Sequence, residues 1–426
     1  MNKTKNKRDI YVYGNWAGIN SPLLIGVLYA ELLRGKEIFS FEYDEEWLHS
    51  KYVQQLDPDL QLYAGLHYLN GDNKSNFGLF LDSSPDRWGR LLMKRREAAT
   101  ARIEKRSEKN LFETDFLLGV YDEHRMGALR FKLEQEGPFL NNNKELASPP
   151  WTSIRELEQI SLRLESEDII NDPDYLKWLD MLIVPGSSLG GARPKASVLD
   201  NENNLWIAKF PSKNDDTDIG AWEIVTHQLA IEAGVYMAEA QAKKFTSKHH
   251  TFLTKRFDRT NHRERIHFAS AMTLLGYTDG SDYTDGVSYL ELVEFISNYG
   301  ANVNKDLEQL WRRIVFSICV SNTDDHLRNH GFILTDNGWI LSPAYDINPV
   351  ETGTGLKLNI SENDNALALE LAMEVYPYFR LDKKKADSII QEVQSAVKDW
   401  RKIATKYGIS KAEQELKARA FLQSDK

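Results

Sequence analysis

The chain opens with three short runs that alternate or concentrate apolar residues. Ile10-Tyr11-Val12-Tyr13 is β-rich and stops at Gly14, Leu23 to Leu33 is apolar, and Ile38 to Tyr43 is aromatic and β-branched. Together they predict a small β-meander. Asp44 to Leu48 reads as the start of a short helix. Ser83-Ser84-Pro85-Asp86-Arg87-Trp88-Gly89-Arg90 predicts a helix start, with a capping-type serine and a proline in the first turn, running on through Arg96. Helical patterning returns at Ile154 to Leu164. Ala196 to Leu199 and Leu205 to Phe210 then predict a hairpin around the polar Asp200 to Asn204. Trp222 to Ala233 reads as a helix and Thr251 to Phe257 as a strand.

Beyond about residue 285 the pattern becomes mainly helical. Leu307, Leu310, Trp311, Ile314, Val315, Ile318 and Cys319 recur at helical spacing, the stripe of a buried amphipathic helix. Ile389, Ile390, Val393, Ala396, Val397, Trp400, Ile403 and Ala404 repeat it, with Gly408 as the stop. Between these stripes, Gly331 to Leu334 and Trp339 to Leu341 predict a strand–turn–strand around Thr335-Asp336-Asn337-Gly338. The loop-like Glu134 to Pro150 marks a domain boundary. The expected organisation is α+β in three parts. Residues 1–140 form a β-rich subdomain with a basic helix, 150–260 a β-rich lobe with a glycine-rich loop, and 261–426 a helical lobe. A cleft between two such lobes is where small molecules tend to bind.

Composition narrows the function classes. The 426 residues carry 53 Lys+Arg and 63 Asp+Glu, a net charge of −10, which argues against a surface coated for phosphate binding. Locally, Ser84 to Asn110 holds nine Lys/Arg against four Asp/Glu. It reads as a solvated helical face or, more sharply, as a docking surface for an anionic partner. One cysteine, Cys319, excludes a disulfide framework and multi-cysteine zinc sites and fits a cytoplasmic protein; on its apolar stripe it reads as inert core. The longest apolar run, Pro22 to Ala30, is far short of a membrane span, and the basic N-terminus has no apolar core of a secretory signal behind it.

Candidate chemistry lies in four places. Gly186 to Lys195 combines glycines, serines and cations before a strand; glycines let backbone N–H groups approach phosphates, although a plain hairpin loop has the same look. Lys209 lies inside an apolar strand and must face solvent, a carboxylate or a phosphate, and Glu223 follows on the next helix. Asp324 and Asn329 have the D-x-x-x-x-N spacing of a kinase catalytic loop, where the Asp orients the attacking hydroxyl and the Asn holds a divalent ion. Asp346, after the predicted hairpin, stands where kinases place the second Mg²⁺ ligand. Asp324, Asp325 and His326 read alternatively as a polar helix terminus or as ligands in a metal-dependent hydrolase, which the adjacent His249-His250 supports poorly. The chain order of glycine-rich loop, strand Lys, helix Glu, catalytic loop and late Asp favours the kinase.

At these residues the sequence resembles the HipA family of bacterial Ser/Thr kinase toxins. The matching pieces are Ser187 to Lys195, Lys255-Arg256-Phe257-Asp258-Arg259, Asn322 to Asn329 and Ala344-Tyr345-Asp346-Ile347, with Pro85 to Arg90 and Arg125 to Leu129 upstream. The resemblance implies a two-lobed kinase-like fold with an added N-terminal β-rich subdomain. It implies ATP and Mg²⁺ as cofactors, Asp324 as the catalytic aspartate, and Asn329 and Asp346 as Mg²⁺ ligands. It places ATP against Ser188, Gly190, Gly191, Ala192, Lys195, Lys209, Lys255, Arg256, Phe257, His326, Arg328 and Asn329. Ser188, with Ser187 next, matches a loop serine whose autophosphorylation switches the kinase off, through repulsion of ATP. This chain has Arg193-Pro194 where family members often have Gln-Glu or Gln-Pro. The implied partners are a HipB-type helix-turn-helix antitoxin, DNA only through that antitoxin, and a protein substrate for which an aminoacyl-tRNA synthetase is one candidate. A different class of function is a catalytically silent kinase-fold partner that binds ATP and an antitoxin.

Overall fold

The alternation read from the first fifty residues becomes a sheet in the computed structural model, which describes residues 7–71, 73–143, 149–183, 191 and 193–424. β1 (Lys7–Gly14), β2 (Leu23–Leu33) and β3 (Lys36–Tyr43) pair antiparallel, as the meander requires. α1 (Glu45–Leu48) follows, capped by Asp44. β4 (Leu66–Tyr68) adds to β3 and a later strand to β1. Ile10, Val12, Leu28, Phe39 and Phe41 fill one face, buried on the two-residue period of a pleat. Gly26 is fixed by close approach: a Cβ there would lie 2.2 Å from the Glu42 carbonyl oxygen.

α2 (Gly78–Asp82) and α3 (Arg87–Ile103) come next. The expected serine cap is not the one used. The Asp86 side chain accepts from the Gly89 N–H, while Ser83 and Ser84 donate back to the Leu79 and Phe80 carbonyls at the end of α2. The carboxylate takes the position because it also meets the positive end of the helix. Much of the basic stretch is tied down: on α3 Arg90 forks onto Glu113 at 2.6 and 2.7 Å and Arg95 donates to the Leu164 carbonyl, and Arg106, just past the helix, pairs with Glu97 on it.

α4 (Glu113–Gly119), β5 (Leu129–Lys132), α5 (Ile154–Leu164), α6 (Tyr175–Leu182), β6 (Lys195–Leu199) and β7 (Leu205–Lys209) continue the chain. β5 completes the first sheet in the order β4-β3-β2-β1-β5. The turn between β6 and β7 is built by Asp200, whose carboxylate accepts the Glu202 and Asn204 N–H groups.

The contacts divide the chain into two compact units, and the division falls within β7. The first is Met1–Ala208, Asp258–Ala269 and Gly276–Thr278; the second is Lys209–Phe257, Ser270–Leu275 and Asp279–Lys426. The second unit contains α7 (Ile219–Glu232), then β8 (Ala240–Lys243) antiparallel to β9 (Thr251–Lys255). β10 (Phe268–Ser270) contributes its last residue, followed by α8 (Ala271–Leu274), α9 (Tyr289–Tyr299) and α10 (Val303–Cys319). β11 (Gly331–Thr335) and β12 (Gly338–Leu341) form the predicted hairpin, with Thr335 opposite Gly338. α11 (Leu369–Val375), α12 (Lys383–Lys398), α13 (Trp400–Lys406) and α14 (Lys411–Lys417) close the fold.

Every residue of the Leu307 to Cys319 stripe is buried, and each such side chain contributes roughly 1.5–3 kcal/mol. Cys319 is among them, and burial pushes its thiol up to about 12, as inert core requires. In the second stripe Ile389, Val393, Val397, Trp400, Ile403 and Ala404 are buried while Ile390 and Ala396 are half-buried, and it belongs to two helices rather than one. At Asp399 the N–H reaches back three residues to Ala396, a tighter turn that breaks the helix without losing the apolar register. Gly408, at φ +74°, ends α13 as expected. No helix among the described residues is long and apolar enough to cross a membrane.

Candidate active site

β7 is buried at all five positions, and Lys209 is its last residue. An ammonium cannot stay there alone, since burying an unpaired charge is expensive. It donates to Glu223 Oε1 at 2.5 Å and to Asp346 Oδ1 at 2.6 Å. Burial opposes the charge, but the attraction of Asp346 and Glu223 outweighs it and holds the ammonium well above the usual lysine range. Glu223 is buried on α7, whereas the Asp346 carboxylate keeps 22 % exposure. One end of the triad is therefore structural and the other accessible.

Asp346 is held by its backbone. Its φ is +57°, a left-handed conformation that costs a non-glycine residue roughly 1–2 kcal/mol. The next carbonyl, Ile347, accepts from Thr226 on α7 at 2.8 Å. Asn348 donates from its amide to Asp346 Oδ1 at 3.4 Å and from its backbone to Asn322 Oδ1 at 3.2 Å. The Val350 N–H bonds the Ser321 carbonyl at 3.1 Å. These bonds join the Asp346 segment to the loop that leaves α10.

That loop separates two adjacent carboxylates. Asp324 is exposed, and among the described residues its carboxylate has no hydrogen bond or ion pair. Asp325 is buried, accepts from the Tyr289 hydroxyl at 2.5 Å, and lies 3.1 Å from the His330 ring. Burial pushes the Asp325 carboxyl up, but His330, then Tyr289, hold it below its ordinary value. A shared metal site for Asp324, Asp325 and His326 is poorly served by this split. Among the described residues no three His, Cys, Asp or Glu side chains gather to hold a metal, and His250 is engaged by Asp218 at 2.7 Å.

Asn329 donates its amide N–H to the Asp324 carbonyl at 3.0 Å, while its Oδ1 is buried without a partner among the described residues. An orphaned amide oxygen costs roughly 1–3 kcal/mol unless something occupies it. Together with the Asp346 carboxylate it supplies hard oxygen donors of the kind Mg²⁺ takes, so the residues fit that ion.

The remaining expected contacts fall in two groups. Phe257 stacks on Tyr345 with centroids 5.7 Å apart, and the Tyr345 hydroxyl donates to the Arg328 carbonyl. Arg256 is buried, Lys255 lies 3.8 Å from Glu239, Arg328 lies 3.6 Å from Asp279, and His326 Nδ1 is buried without a hydrogen-bond partner among the described residues. All of these belong to the second unit, with Lys209. Lys195 belongs to the first. Its ammonium is bonded to Asp86 at 2.6 Å and to the Gly191 carbonyl at 2.8 Å, with side-chain exposures of 3 % and 0 % for the Lys–Asp pair. Trp88 adds an N–H bond to the Lys195 carbonyl at 3.2 Å. Ser187, Ser188, Gly190 and Ala192 lie outside the described residues. Asn348 and Tyr289 are site residues that no motif or spacing in the sequence marks, and Asn322 is marked only as the first residue of the Asn322 to Asn329 stretch that resembles the family.

Three comparisons bear on this geometry. The family model described as HipA-like C-terminal domain matches residues 187–400, half of the chain. A solved structure from Shewanella oneidensis MR-1, of a toxin–antitoxin system with HipA, HipB and operator DNA, covers 97% of this chain and 95% of its own, with a TM-score of 0.65 at 18% identity. That likeness establishes the α+β fold, a kinase-like body with an added β-rich N-terminal part. A Haemophilus influenzae protein named "Putative kinase" is 27% identical over 179 residues, 38% of this chain and 52% of that relative. The match thus spans about half the length of that curated relative.

Proposed function

The chain belongs to the family of HipA-like C-terminal domains, and from there we propose that it is an ATP- and Mg²⁺-dependent protein serine/threonine kinase. The observation that carries this reading is Lys209 bonded at once to Glu223 and Asp346, the lysine–glutamate pair and late aspartate that kinases require together. In this reading Asp324 accepts the proton of the substrate hydroxyl as its oxygen bonds to the γ-phosphorus and the bond to ADP breaks. An exposed carboxylate with no competing bond among the described residues suits that task. Asn329 and Asp346 hold Mg²⁺, which when bound neutralises charge on the phosphates. Lys209 takes the phosphates after exchanging part of its hold on Asp346. Lys255, Arg256 and Phe257 line the adenine, with His326 and Arg328 beside the nucleotide. Lys195 is assigned to fixing the exit of the glycine-rich segment through Gly191, because its ammonium is already committed to Asp86. The three-part organisation read from the sequence belongs to the same proposal.

The wider reading is a cytoplasmic growth-arresting toxin, silenced by phosphate on Ser188 or Ser187 and restrained by a HipB-type antitoxin that makes the DNA contacts. An aminoacyl-tRNA synthetase is one candidate substrate. The test is to incubate the purified chain with ATP and Mg²⁺ and map phosphate by mass spectrometry, alongside expression in growing cells. Phosphate on Ser188 or Ser187 and growth arrest, both absent in Asp324→Ala, are the expected results. ATP binding without any phosphate would replace the kinase with a silent regulatory partner. Arrest that persists in Asp324→Ala would remove the toxin mechanism.

A further inference from the structure

α14 lies beyond the residues the family model matches. Two of its side chains, Glu413 and Lys417, are four residues apart and so share one face. Each reaches a different half of the Lys209 triad. Glu413 Oε1 accepts from the Trp222 indole N–H at 2.8 Å and from the Asp218 N–H at 2.9 Å. Asp218 caps α7, and Trp222 is the neighbour of Glu223 on it. Lys417 donates to the Pro349 carbonyl at 3.3 Å and to the Glu351 carboxylate at 2.5 Å, in the segment that follows Asp346. Apolar packing reinforces the hold: Trp222 is buried against Trp400 and Phe421, each 6.1 Å away, and those two rings stack at 4.4 Å.

We propose that Glu413 and Lys417 are positioning residues, and that α14 straps α7 to the Asp346 segment so that Glu223 and Asp346 close together on Lys209. The Glu413 contacts end on the buried Trp222 indole and the Asp218 backbone N–H, and Lys417, itself buried, ends on the Pro349 backbone carbonyl and on Glu351, whose side chain is 32% exposed. Trp222 Nε1 has Glu413 as its acceptor, and losing that acceptor would favour a shifted α7 that re-solvates the indole. The consequence for activity rests on the kinase reading above; the consequence for Lys209 does not.

The experiment therefore has two readouts on the full chain. The first is acetylation of Lys209 by acetic anhydride, followed by mass spectrometry. The second is ATP-dependent phosphoryl transfer, with kcat and KM for ATP. Glu413→Ala should raise Lys209 acetylation and lower kcat, each by about tenfold, with KM for ATP within about threefold of the wild type. Glu413→Gln keeps an acceptor oxygen and should stay within about twofold on both. Lys417→Met should move both in the same direction as Glu413→Ala. Leu416→Ala, at a position 63% exposed on the same helix, should move neither. Lys209 acetylation unchanged in Glu413→Ala overturns the strap, as does an equal rise in Leu416→Ala. If the wild type transfers no phosphate, the kinase reading fails and acetylation alone still decides the strap.

Discussion

Lys195 and Lys209 both end in buried carboxylate contacts, yet the two regions around them serve different ends. Lys195 in the first unit is closed off: its partner Asp86 is fully buried, caps α3, and leaves the ammonium no exposed face. Lys209 in the second unit is shared between a buried glutamate and an aspartate that keeps contact with water and sits on a strained backbone. A pair sealed on both sides positions a chain; a pair with one accessible, strained partner can exchange that partner for a ligand. In the kinase reading the comparison gives the first lysine a structural role and the second a chemical one.

The largest predicted effect would break it on the structural side. Lys195→Met should cost about 3–5 kcal/mol in chemical denaturation, because it leaves Asp86 charged and buried, and Asp86→Asn with Lys195→Met should recover most of that loss. If Lys195→Met unfolds like the wild type, the pair is not structural. On the chemical side, Lys209→Ala should lower phosphoryl transfer by about 10²–10³-fold, the usual loss when one aligned charge is removed. Equal stability losses at the two lysines, with transfer untouched, would erase the contrast.

A smaller effect concerns Asp325, a third buried charge. Its folded carboxyl lies below the ordinary 3.8, so its stabilisation is present above that pH and is lost as pH falls through the lower folded value. Asp325→Asn should cost about 1–3 kcal/mol at pH 7, and melting curves of variant and wild type should converge in acid. A gap that widens in acid would contradict the assignment. Least affected should be the thiol: with burial pushing Cys319 up to about 12, alkylation at pH 8 should be slow in the native chain and fast in denaturant.

These pairs also show where the sequence was legible. The two-residue alternation of β1 to β3 and the stripe of α10 are local signals, because one face of each element meets the core. D-x-x-x-x-N was likewise local, and the loop it predicted does leave α10 beside the Asp346 segment. The Asp86–Lys195 pair spans 109 residues and Glu413 reaches back 195 to Asp218; no spacing rule carries such contacts. The choice of Asp86 over serine as the α3 cap was hidden for the same reason, since both serines were taken by carbonyls of the preceding helix. α7 left no stripe, being buried on nearly all of its faces.

The most direct test of the central claim is transfer from γ-labelled ATP by the wild type, Asp324→Ala and Lys209→Ala, with ATP binding measured on the same preparations. The account predicts strong labelling by the wild type and at most about a hundredth of it by either variant, and ATP binding by Asp324→Ala equal to that of the wild type, because among the described residues the exposed Asp324 carboxylate makes no hydrogen bond or ion pair. Phosphate transfer or phosphate-ester cleavage that continues at the wild-type rate in Lys209→Ala would contradict it.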